Sequence, residues 1–241
     1  MKKKSAIRIA SISDLLLEGI QPEVIITAFV SVNKAAWPPP FPQEILWTEY
    51  EVSQHIKNCP RLQFCAIYEG RIIGTVSTIH ISESAVLNCK GWESISGFGT
   101  LKTHTNDGDC MFGIDLSVIP EFQGKGVSEK LITTALLMGA VLANKKGCFL
   151  GSRMPSYHKK SHIPVEQYVF GKKLEGKTMD PEIRLYQGDG FRIIKIIPNY
   201  IKDPDSLNYG ALMFWENPFY KYTRYLPIHW IKPMLKKIIM R

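Results

Sequence analysis

The sequence predicts an α/β protein with a mixed β-sheet. The chain has 241 residues, 45% of them hydrophobic and 22% charged, which is typical of a globular domain that can bury a core. Segments with strand periodicity alternate with segments of helical periodicity, in the order βα, α, β-hairpin, βα, β, α, ββ. This alternation favours helices packed on the faces of a sheet.

The first half of the chain begins with a short strand and is centred on a hairpin. The proline-rich run 37–42 interrupts the helical segments, because its prolines remove donors and fix φ. The predicted elements are a strand at 7–9, a helix capped by Asp14, a helix at 44–56, hairpin strands at 63–68 and 71–81 joined at Glu69-Gly70, and a polar loop at 82–109.

The second half contains a long strand with a marked polar face. In the strand 110–119, alternation places Phe112, Ile114, Leu116 and Val118 on one face and Asp115 on the other. Pro120 ends this strand. The remaining predicted elements are a helix at 126–145, a strand at 148–152, a partly helical excursion at 153–190, and closing strands at 191–197 and 209–215.

Positive charge is concentrated at the C-terminus. The net charge is +8, but six of the cations and no acid lie within residues 217–241, so residues 1–216 carry only +2. Because positive and negative charges nearly cancel in residues 1–216, this part of the chain is not expected to bind nucleic acid. The basic tail is expected to meet something anionic.

The sequence carries no targeting signal and no metal-binding pattern. No apolar run approaches the roughly 20 residues that a membrane-spanning helix needs, and the lysines at 2–4 precede no apolar signal segment. The five cysteines are scattered, without a CxxC pair or zinc-finger spacing. These features predict reduced thiols, no metal and a cytoplasmic location.

The segment Val118–Leu131 carries the strongest functional signal. A strand ends at Pro120, a turn containing Gly124 and Gly126 follows, and a helix begins at once. The first N–H groups of such a helix lack intrahelical acceptors and, with the helix dipole, form an anion site suited to a pyrophosphate. The spacing fits neither a Walker A loop nor a GxGxxG motif.

Two motifs resemble those of one enzyme family. Residues Gln123–Ser128 resemble the Gln/Arg-x-x-Gly-x-Gly/Ala signature of the GNAT N-acetyltransferases, with Ser128 in the last position. Residues Tyr186–Phe191 resemble the family's Tyr-x-x-x-Gly-Phe segment. The resemblance covers residues 5–216 and implies the GNAT fold, a mixed, mostly antiparallel sheet flanked by helices and splayed at its central strands.

The resemblance also implies how the chain is divided. The two motifs are farther apart than usual, which predicts an insertion at 153–182 within a GNAT domain at 1–216, followed by the tail at 217–241. Segments such as Gly151–Lys159 resemble the acetyltransferase half of bacterial GNAT/carbon–nitrogen hydrolase fusion proteins. The chain stops near that junction, so the hydrolase chemistry is not expected.

On the donor side, the resemblance implies acetyl-CoA as co-substrate. Its pyrophosphate would lie on the glycine turn, and the preceding strand would offer main-chain groups to the pantetheine and the thioester oxygen. The implied cofactor-binding residues are Leu116, Val118, Gln123, Gly124, Lys125, Gly126, Val127 and Ser128.

The resemblance assigns catalysis to direct attack of an amine on the thioester. Tyr186 matches the family's general acid for the leaving thiolate, the alternative being a tyrosine packed under the sheet. The amine's proton needs a base, for which Asp115 and His158 are candidates. The alternatives are that Asp115 is a buried, hydrogen-bonded carboxylate and that His158 is a solvated loop residue.

The acceptor is expected on the side of the insertion. The insertion begins where a GNAT sheet splays and is expected to form a lid over the opening, which favours a small-molecule amine over a protein tail. The candidate substrate-binding residues are Arg153, Tyr157, His158 and Glu166.

The C-terminal tail combines helical apolar spacing with lysines and aromatic residues. Its apolar positions are Ile228, Ile231, Leu235 and Ile238. We expect the tail to dock on the protein's own core or on the second copy of a homodimer, and peripheral contact with a membrane is the alternative.

The sequence therefore predicts an N-acetyltransferase that moves an acetyl group from acetyl-CoA to a small-molecule amine. One alternative is a catalytically silent CoA-binding sensor or scaffold that partners a separate hydrolase. Another, suggested by the tail alone, is a membrane-associated acyltransferase for longer acyl chains.

Overall fold

The structure is a computed structural model that describes residues 6–171 and 178–222. Residues 172–177 of the predicted insertion lie outside the described residues. So does the chain from residue 223 onward, for which the sequence predicts docking on the protein's own core or on a second copy, or contact with a membrane. Within the described ranges a seven-stranded sheet has the order β1-β2-β3-β4-β5-β7-β6. The strands are β1 (Arg8–Ser11), β2 (Gln63–Tyr68), β3 (Arg71–Ile81), β4 (Cys110–Val118), β5 (Gly147–Ser152), β6 (Arg192–Ile197) and β7 (Gly210–Glu216).

The sheet is mixed and mostly antiparallel, which confirms the predicted fold class. Of the strand pairs in the described part of the chain, only β4 and β5 are parallel. The hairpin β2–β3 has the predicted bounds. Among the described residues, no helix is both long enough and apolar enough to cross a membrane.

Local capping signals set the starts of several helices. Ser11 caps the first helix and Asp14 bonds back to Ser11, so Asp14 lies inside this helix instead of capping it. Thr48 and Glu51 form a second capping box, which starts the third helix later than residue 44. The helices are α1 (Ile12–Leu17), α2 (Pro22–Ala36), α3 (Glu49–Asn58), α4 (Glu83–Leu87), α5 (Trp92–Ser96), α6 (Val127–Ala135), α7 (Val165–Phe170) and α8 (Pro181–Gly188).

The segment 82–109 is not the plain loop that the sequence predicts, because it contains α4 and α5. Helices of this length are not stable on their own and depend on tertiary contacts. The Trp92 main-chain N–H donates to Tyr200 O at 2.6 Å, and its indole N–H donates to Ile114 O at 3.0 Å. These distant partners explain why local sequence patterns missed α5.

The two larger hydrophobic cores among the described residues lie on the two faces of the sheet. One core contains Phe29 of α2 and Val52 of α3. The other contains Leu131 of α6 and Tyr168 of α7, so part of the insertion packs into the second core. After α6 the chain continues as a turn of π-helix at Leu136–Val141.

A β-bulge in β4 changes which residues share a face. Ser77 of β3 pairs with Asp115, but its neighbour Thr78 pairs with Gly113, so Ile114 is the extra residue. Phe112 and Ile114 therefore pack in the α2-side core, whereas Leu116 and Val118 pack in the α6-side core. The predicted common face for these four residues is wrong, because simple alternation cannot anticipate a bulge.

Candidate active site

The turn between β4 and α6 has the shape of an anion site. Gly124 and Gly126 have φ values of +68° and +74°, which glycine adopts without the strain that a Cβ imposes. Among the described residues, the main-chain N–H groups of residues 124–129 have no hydrogen-bond acceptor. Successive unpaired N–H groups at a helix start attract anions.

The space around this turn fits a bound phosphate group. A Cβ built at Gly124 would meet no atom within 4 Å, and one at Gly126 would come no closer than 3.9 Å to the Glu129 side chain. Lys125 adds a cation, with its Nζ 5.2 Å from the Phe122 ring centroid. The residues present are therefore suited to hold the pyrophosphate of CoA.

The Gln123 side chain, on an exposed residue, connects the turn to the preceding strand. Its Nε2 donates to Val118 O at 2.9 Å and ties the turn to the end of β4. Val127 is buried in the α6-side core, and Ser128 is half-buried beside it. Any contribution of Val127 to CoA binding thus comes through its main chain.

The β4 main chain opens toward β5 beyond the last paired residues. Pairing between these strands ends at Gly113 and Leu150. The Ile119 N–H donates to Ile73 O at 3.0 Å. In an antiparallel ladder, hydrogen-bonded residue pairs alternate with pairs whose main-chain groups point away from the neighbouring strand. Leu116 and Val118 therefore direct their main-chain groups away from β3, into the gap between β4 and β5.

A cleft of about 120 Å³ passes through this gap and reaches both faces of the sheet. Asp115 lines it from β4, while Glu182 and Tyr186 line it from α8. The α2 side of the cleft is lined by Asn33, Trp37, Phe41, Trp47, Trp92 and Tyr200. The α6 side is lined by Met111, Gly113, Leu116, Ile132, Ala135, Leu136, Cys148, Leu150 and Phe191.

Tyr186 enters the cleft as a protonated hydroxyl. Asp180 caps α8 by accepting from Glu182 N at 2.9 Å, which fixes the start of the helix that carries Tyr186. Burial, and then the negative charges of Glu182 and Asp115, raise the pKa of Tyr186 well above its usual value. The hydroxyl can therefore donate a proton at neutral pH.

Asp115 is a carboxylate held by several donors. Its Oδ2 accepts from Ser117 Oγ at 2.8 Å, and its Oδ1 accepts from Asn33 Nδ2 at 3.2 Å and Trp37 Nε1 at 3.3 Å. Burial raises the pKa of Asp115 to about 6, although these hydrogen bonds favour the charged form. Both carboxylate oxygens are thus already engaged.

Glu182 is a second carboxylate that the sequence analysis missed. Burial raises the pKa of Glu182 to about 7, and the nearby charge of Arg153 opposes the shift. Its Oε1 accepts a hydrogen bond from the main-chain N–H of Arg153 at 3.3 Å. In the sequence, Asp180-Pro181 marks the start of a helix. This start places Glu182 in the first turn of the helix, four residues before Tyr186.

Of the predicted acceptor residues, only Arg153 lines the cleft. Its guanidinium forms two hydrogen bonds with Asp203, at 2.7 and 2.9 Å. The same group lies 5.0 Å from the Trp37 ring centroid and 4.8 Å from that of Phe41. Arg153 thus joins the ends of three distant segments at the mouth of the cleft.

The structure does not bring the other three predicted acceptor residues to the cleft lining. Tyr157 is buried in the α6-side core, and its hydroxyl donates to Ile163 O at 3.0 Å. His158 Nδ1 lies 3.1 Å from Asp205 O, and Glu166 is exposed on α7. Tyr157, in the predicted insertion, therefore packs in the core and does not face the opening.

Comparisons of sequence connect the chain to known proteins. The model of the family described as "Acetyltransferase (GNAT) family" matches residues 26–158. An uncharacterized N-acetyltransferase of Bacillus subtilis, YkwB, is 35% identical over 202 residues, which cover 83% of this chain and 88% of that protein. The probable hydrolase YhcX of the same organism is 29% identical over 181 residues, covering 75% of this chain but 35% of that longer protein.

Comparisons of structure give the same fold. The loading GNATL domain of CurA from Lyngbya majuscula superposes with a TM-score of 0.72 at 20% identity, covering 89% of this chain and 98% of that domain. The GphF GNAT-like decarboxylase in complex with isobutyryl-CoA superposes with a TM-score of 0.67 at 22% identity, covering 88% and 98%. At these identities the likeness concerns the fold.

Proposed function

This chain belongs to the GNAT family and is an N-acetyltransferase, and we propose that it moves the acetyl group of acetyl-CoA to an amine of a small molecule by direct attack. The GNAT fold binds acyl-CoA. The observation that supports the proposal is the order of groups along β4 and the cleft. The unpaired N–H groups of residues 124–129 come first, the main chain of Leu116 follows, and Tyr186 and Glu182 face the same cleft.

The residues of the chain divide the chemistry among them. The amine nitrogen bonds to the thioester carbon, and the Leu116 N–H donates to the oxygen as it gains negative charge. The carbon–sulfur bond then breaks, and the Tyr186 hydroxyl protonates the thiolate that leaves. A carboxylate takes the proton that the amine loses.

Glu182 is the carboxylate better suited to be this base. Asp115 already accepts from Ser117, Asn33 and Trp37, whereas Glu182 accepts from one main-chain N–H. A pKa of about 7 also matches a base that works near neutral pH. Asp115, whose pKa burial raises to about 6, is the alternative base, and replacing each carboxylate by its amide tells the two apart.

The lining of the cleft favours a compact amine as acceptor. Asp115 and Glu182 supply negative charge to the cleft, which attracts an ammonium group. Arg153 is the cation among the lining residues, and Asp203 already pairs with it. A cleft of about 120 Å³ suits a small molecule better than an extended peptide.

A CoA-release assay with a panel of small amines tests this proposal. Wild-type protein should release CoA from acetyl-CoA faster with at least one amine than without amine, and the acetylated amine should appear by mass spectrometry. Tyr186→Phe should lose most of this release. Acetyl-CoA binding without release for any amine would contradict the proposed enzyme and favour a silent CoA-binding module.

A further inference from the structure

Residues 37–42, which we call the proline segment, form part of the cleft wall on its α2 side. Trp37 and Phe41 line the cleft, whereas residues 38–40 are exposed. The centroids of the two aromatic rings lie 5.0 Å apart. The proline segment thus brings two neighbouring rings to the cleft and leaves three consecutive prolines in solvent.

The proline segment depends on the rest of the protein for its position. Its four prolines have no N–H to donate, so few main-chain hydrogen bonds can form within it. The Phe41 N–H donates to Pro38 O at 3.2 Å. The Gln43 side chain donates to Trp37 O at 3.1 Å and to Phe41 O at 2.7 Å, but Gln43 is exposed, where water competes for these bonds. Contacts with other elements therefore decide where the two rings lie.

One anchor holds the edge of the Trp37 ring. Trp37 Nε1 donates to Ser117 Oγ at 2.9 Å and to Asp115 Oδ1 at 3.3 Å. Both acceptors belong to β4, and Ser117 is fully buried. The Trp37 main-chain N–H also donates to Asn33 O at 3.2 Å. These bonds fix the start of the proline segment, but none of them reaches Phe41.

A second anchor holds the faces of both rings. The Arg153 guanidinium carbon lies over them, 5.0 Å from the Trp37 ring centroid and 4.8 Å from that of Phe41. A planar guanidinium is attracted to aromatic faces, and the attraction grows where water is excluded. The Arg153 side chain is 14% exposed. Arg153 therefore connects the proline segment to the end of β5.

Asp203 fixes the plane of this guanidinium. Its carboxylate accepts from Arg153 Nε at 2.7 Å and from Arg153 Nη2 at 2.9 Å, and the Asp203 side chain is 1% exposed. Two parallel hydrogen bonds hold a guanidinium in one orientation, which a lysine ammonium cannot reproduce. The same pairing neutralises the positive charge of Arg153. This geometry suits Arg153 to hold the two rings more than to bind an anionic group of a substrate.

We propose that Arg153 is a positioning residue, which holds Trp37 and Phe41 in place and so limits the bulk of the amine that the cleft accepts. This proposal rests on the proposed function, because it takes the α2 side of the cleft to receive the amine. The sequence predicts that Arg153 contacts the substrate, whereas here the paired guanidinium acts on the substrate through the two rings. Without this anchor, the proline segment would move outward more often and the cleft would admit larger amines.

Hydrogen–deuterium exchange of the full chain measures the first consequence without an acceptor. Arg153→Lys keeps a cation beside Asp203 but removes the planar group, so the amides of residues 37–47 should exchange about tenfold faster than in wild type. Arg192→Lys is the matched control, because the Arg192 guanidinium lies 5.3 Å from the Phe214 ring centroid but does not line the cleft. This control should leave the exchange of residues 37–47 unchanged.

The CoA-release assay measures the second consequence, with an amine series of rising bulk from ethylamine to benzylamine. The measured quantity is the ratio of kcat/KM for the bulkiest amine that reacts to kcat/KM for the smallest. This ratio should rise about tenfold in Arg153→Lys and keep its wild-type value in Arg192→Lys. The Kd for acetyl-CoA should stay the same in both variants, because neither arginine belongs to the proposed donor site.

The outcomes separate the role of Arg153 from the proposed function. Exchange that Arg153→Lys leaves at the wild-type rate, or an unchanged ratio of the two amines, would overturn this role while CoA release still supports the enzyme. Acetyl-CoA binding without release for any amine would contradict the proposed function and, with it, the choice of acceptor by Arg153. If Arg153→Lys does not fold, Phe41→Leu removes one of the two rings, leaves the pairing with Asp203 intact, and should speed the same exchange about tenfold.

Discussion

Two titratable side chains on one turn of α8 carry the proposed proton transfers. Glu182 and Tyr186 are four residues apart and therefore lie on the same face of the helix. Their burial raises both pKa values, so near neutral pH the tyrosine holds its proton and the glutamate can exchange one. One helix face thus offers an acid and a base to the same cleft.

Replacing Tyr186 tests the general acid. Tyr186→Phe keeps the ring in the α6-side core but removes the hydroxyl, so kcat should fall about 10²-fold while the KM for acetyl-CoA changes little. The measurement is steady-state CoA release. Tyr209→Phe removes a hydroxyl from a tyrosine that packs in the same core but does not line the cleft, and it should retain activity. An unchanged kcat in Tyr186→Phe would remove this residue from the mechanism.

The pH dependence of kcat identifies the base. A base must be ionised to work, so kcat should rise with pH through the pKa of the group that acts. If Glu182 is the base, the rise of kcat with pH is centred near pH 7. Glu182→Gln should then abolish this rise and lower kcat about 10²-fold. A limb near pH 6 that persists in Glu182→Gln and disappears in Asp115→Asn would assign the base to Asp115 instead.

The buried Glu182 should also make stability depend on pH. Its pKa is raised from 4.5 to about 7 in the folded protein, so the folded state binds the proton more tightly than the unfolded chain. This contribution is fully present below about pH 4.5 and is lost as pH rises to about 7. In urea unfolding, Glu182→Gln should gain stability relative to wild type over that range. A difference between the two proteins that does not change with pH would show that the Glu182 pKa is not raised.

At the scale of elements, the glycine turn and α6 form the donor site as one local unit. The turn depends on positive φ values that few side chains adopt, and α6 supplies unpaired N–H groups directly after it. The unit is contiguous in sequence, from Gln123 to Glu129.

A substitution at Gly126 tests this unit against a matched control. Gly126→Val places a branched side chain at a φ of +74° in the open space above the turn and should weaken CoA binding at least about tenfold. Gly19→Val introduces comparable strain at a φ of +86°, also in open space, but does not line the cleft. Thermal unfolding should show similar losses for both variants, and calorimetry should show weaker CoA binding for Gly126→Val alone. Equal CoA affinity in the two variants would argue against the turn.

At the scale of the whole molecule, the sequence could predict the parts whose signals are local. The hairpin turn at Glu69-Gly70 and the glycine turn before α6 each lie within a few residues, and the fold class followed from them and from periodicity. The bulge at Ile114 was not predictable in this way, because it depends on register against β3. It decides that Asp115 faces α2, where Asn33 holds it.

Several residues on the acceptor side of the cleft, among them the predicted Arg153, are held by long-range contacts. Arg153 takes its place through Asp203, and Trp92 through Tyr200, both far away in the chain. Glu182 is a single acidic residue in a helix start, which resembles many solvated positions until burial is known. The cleft exists only when these segments meet, so its acceptor side could not be read from any one of them.

We propose above all that the amides at the start of α6 bind the diphosphate of CoA and so present the thioester to Tyr186. The most direct test is calorimetry of the full chain with CoA and with pantetheine, which has the same thiol arm but no diphosphate. We predict that CoA binds about 100-fold more tightly or better, and that Gly126→Val reduces this difference. Equal affinity for CoA and pantetheine, or a difference that Gly126→Val leaves unchanged, would contradict the account.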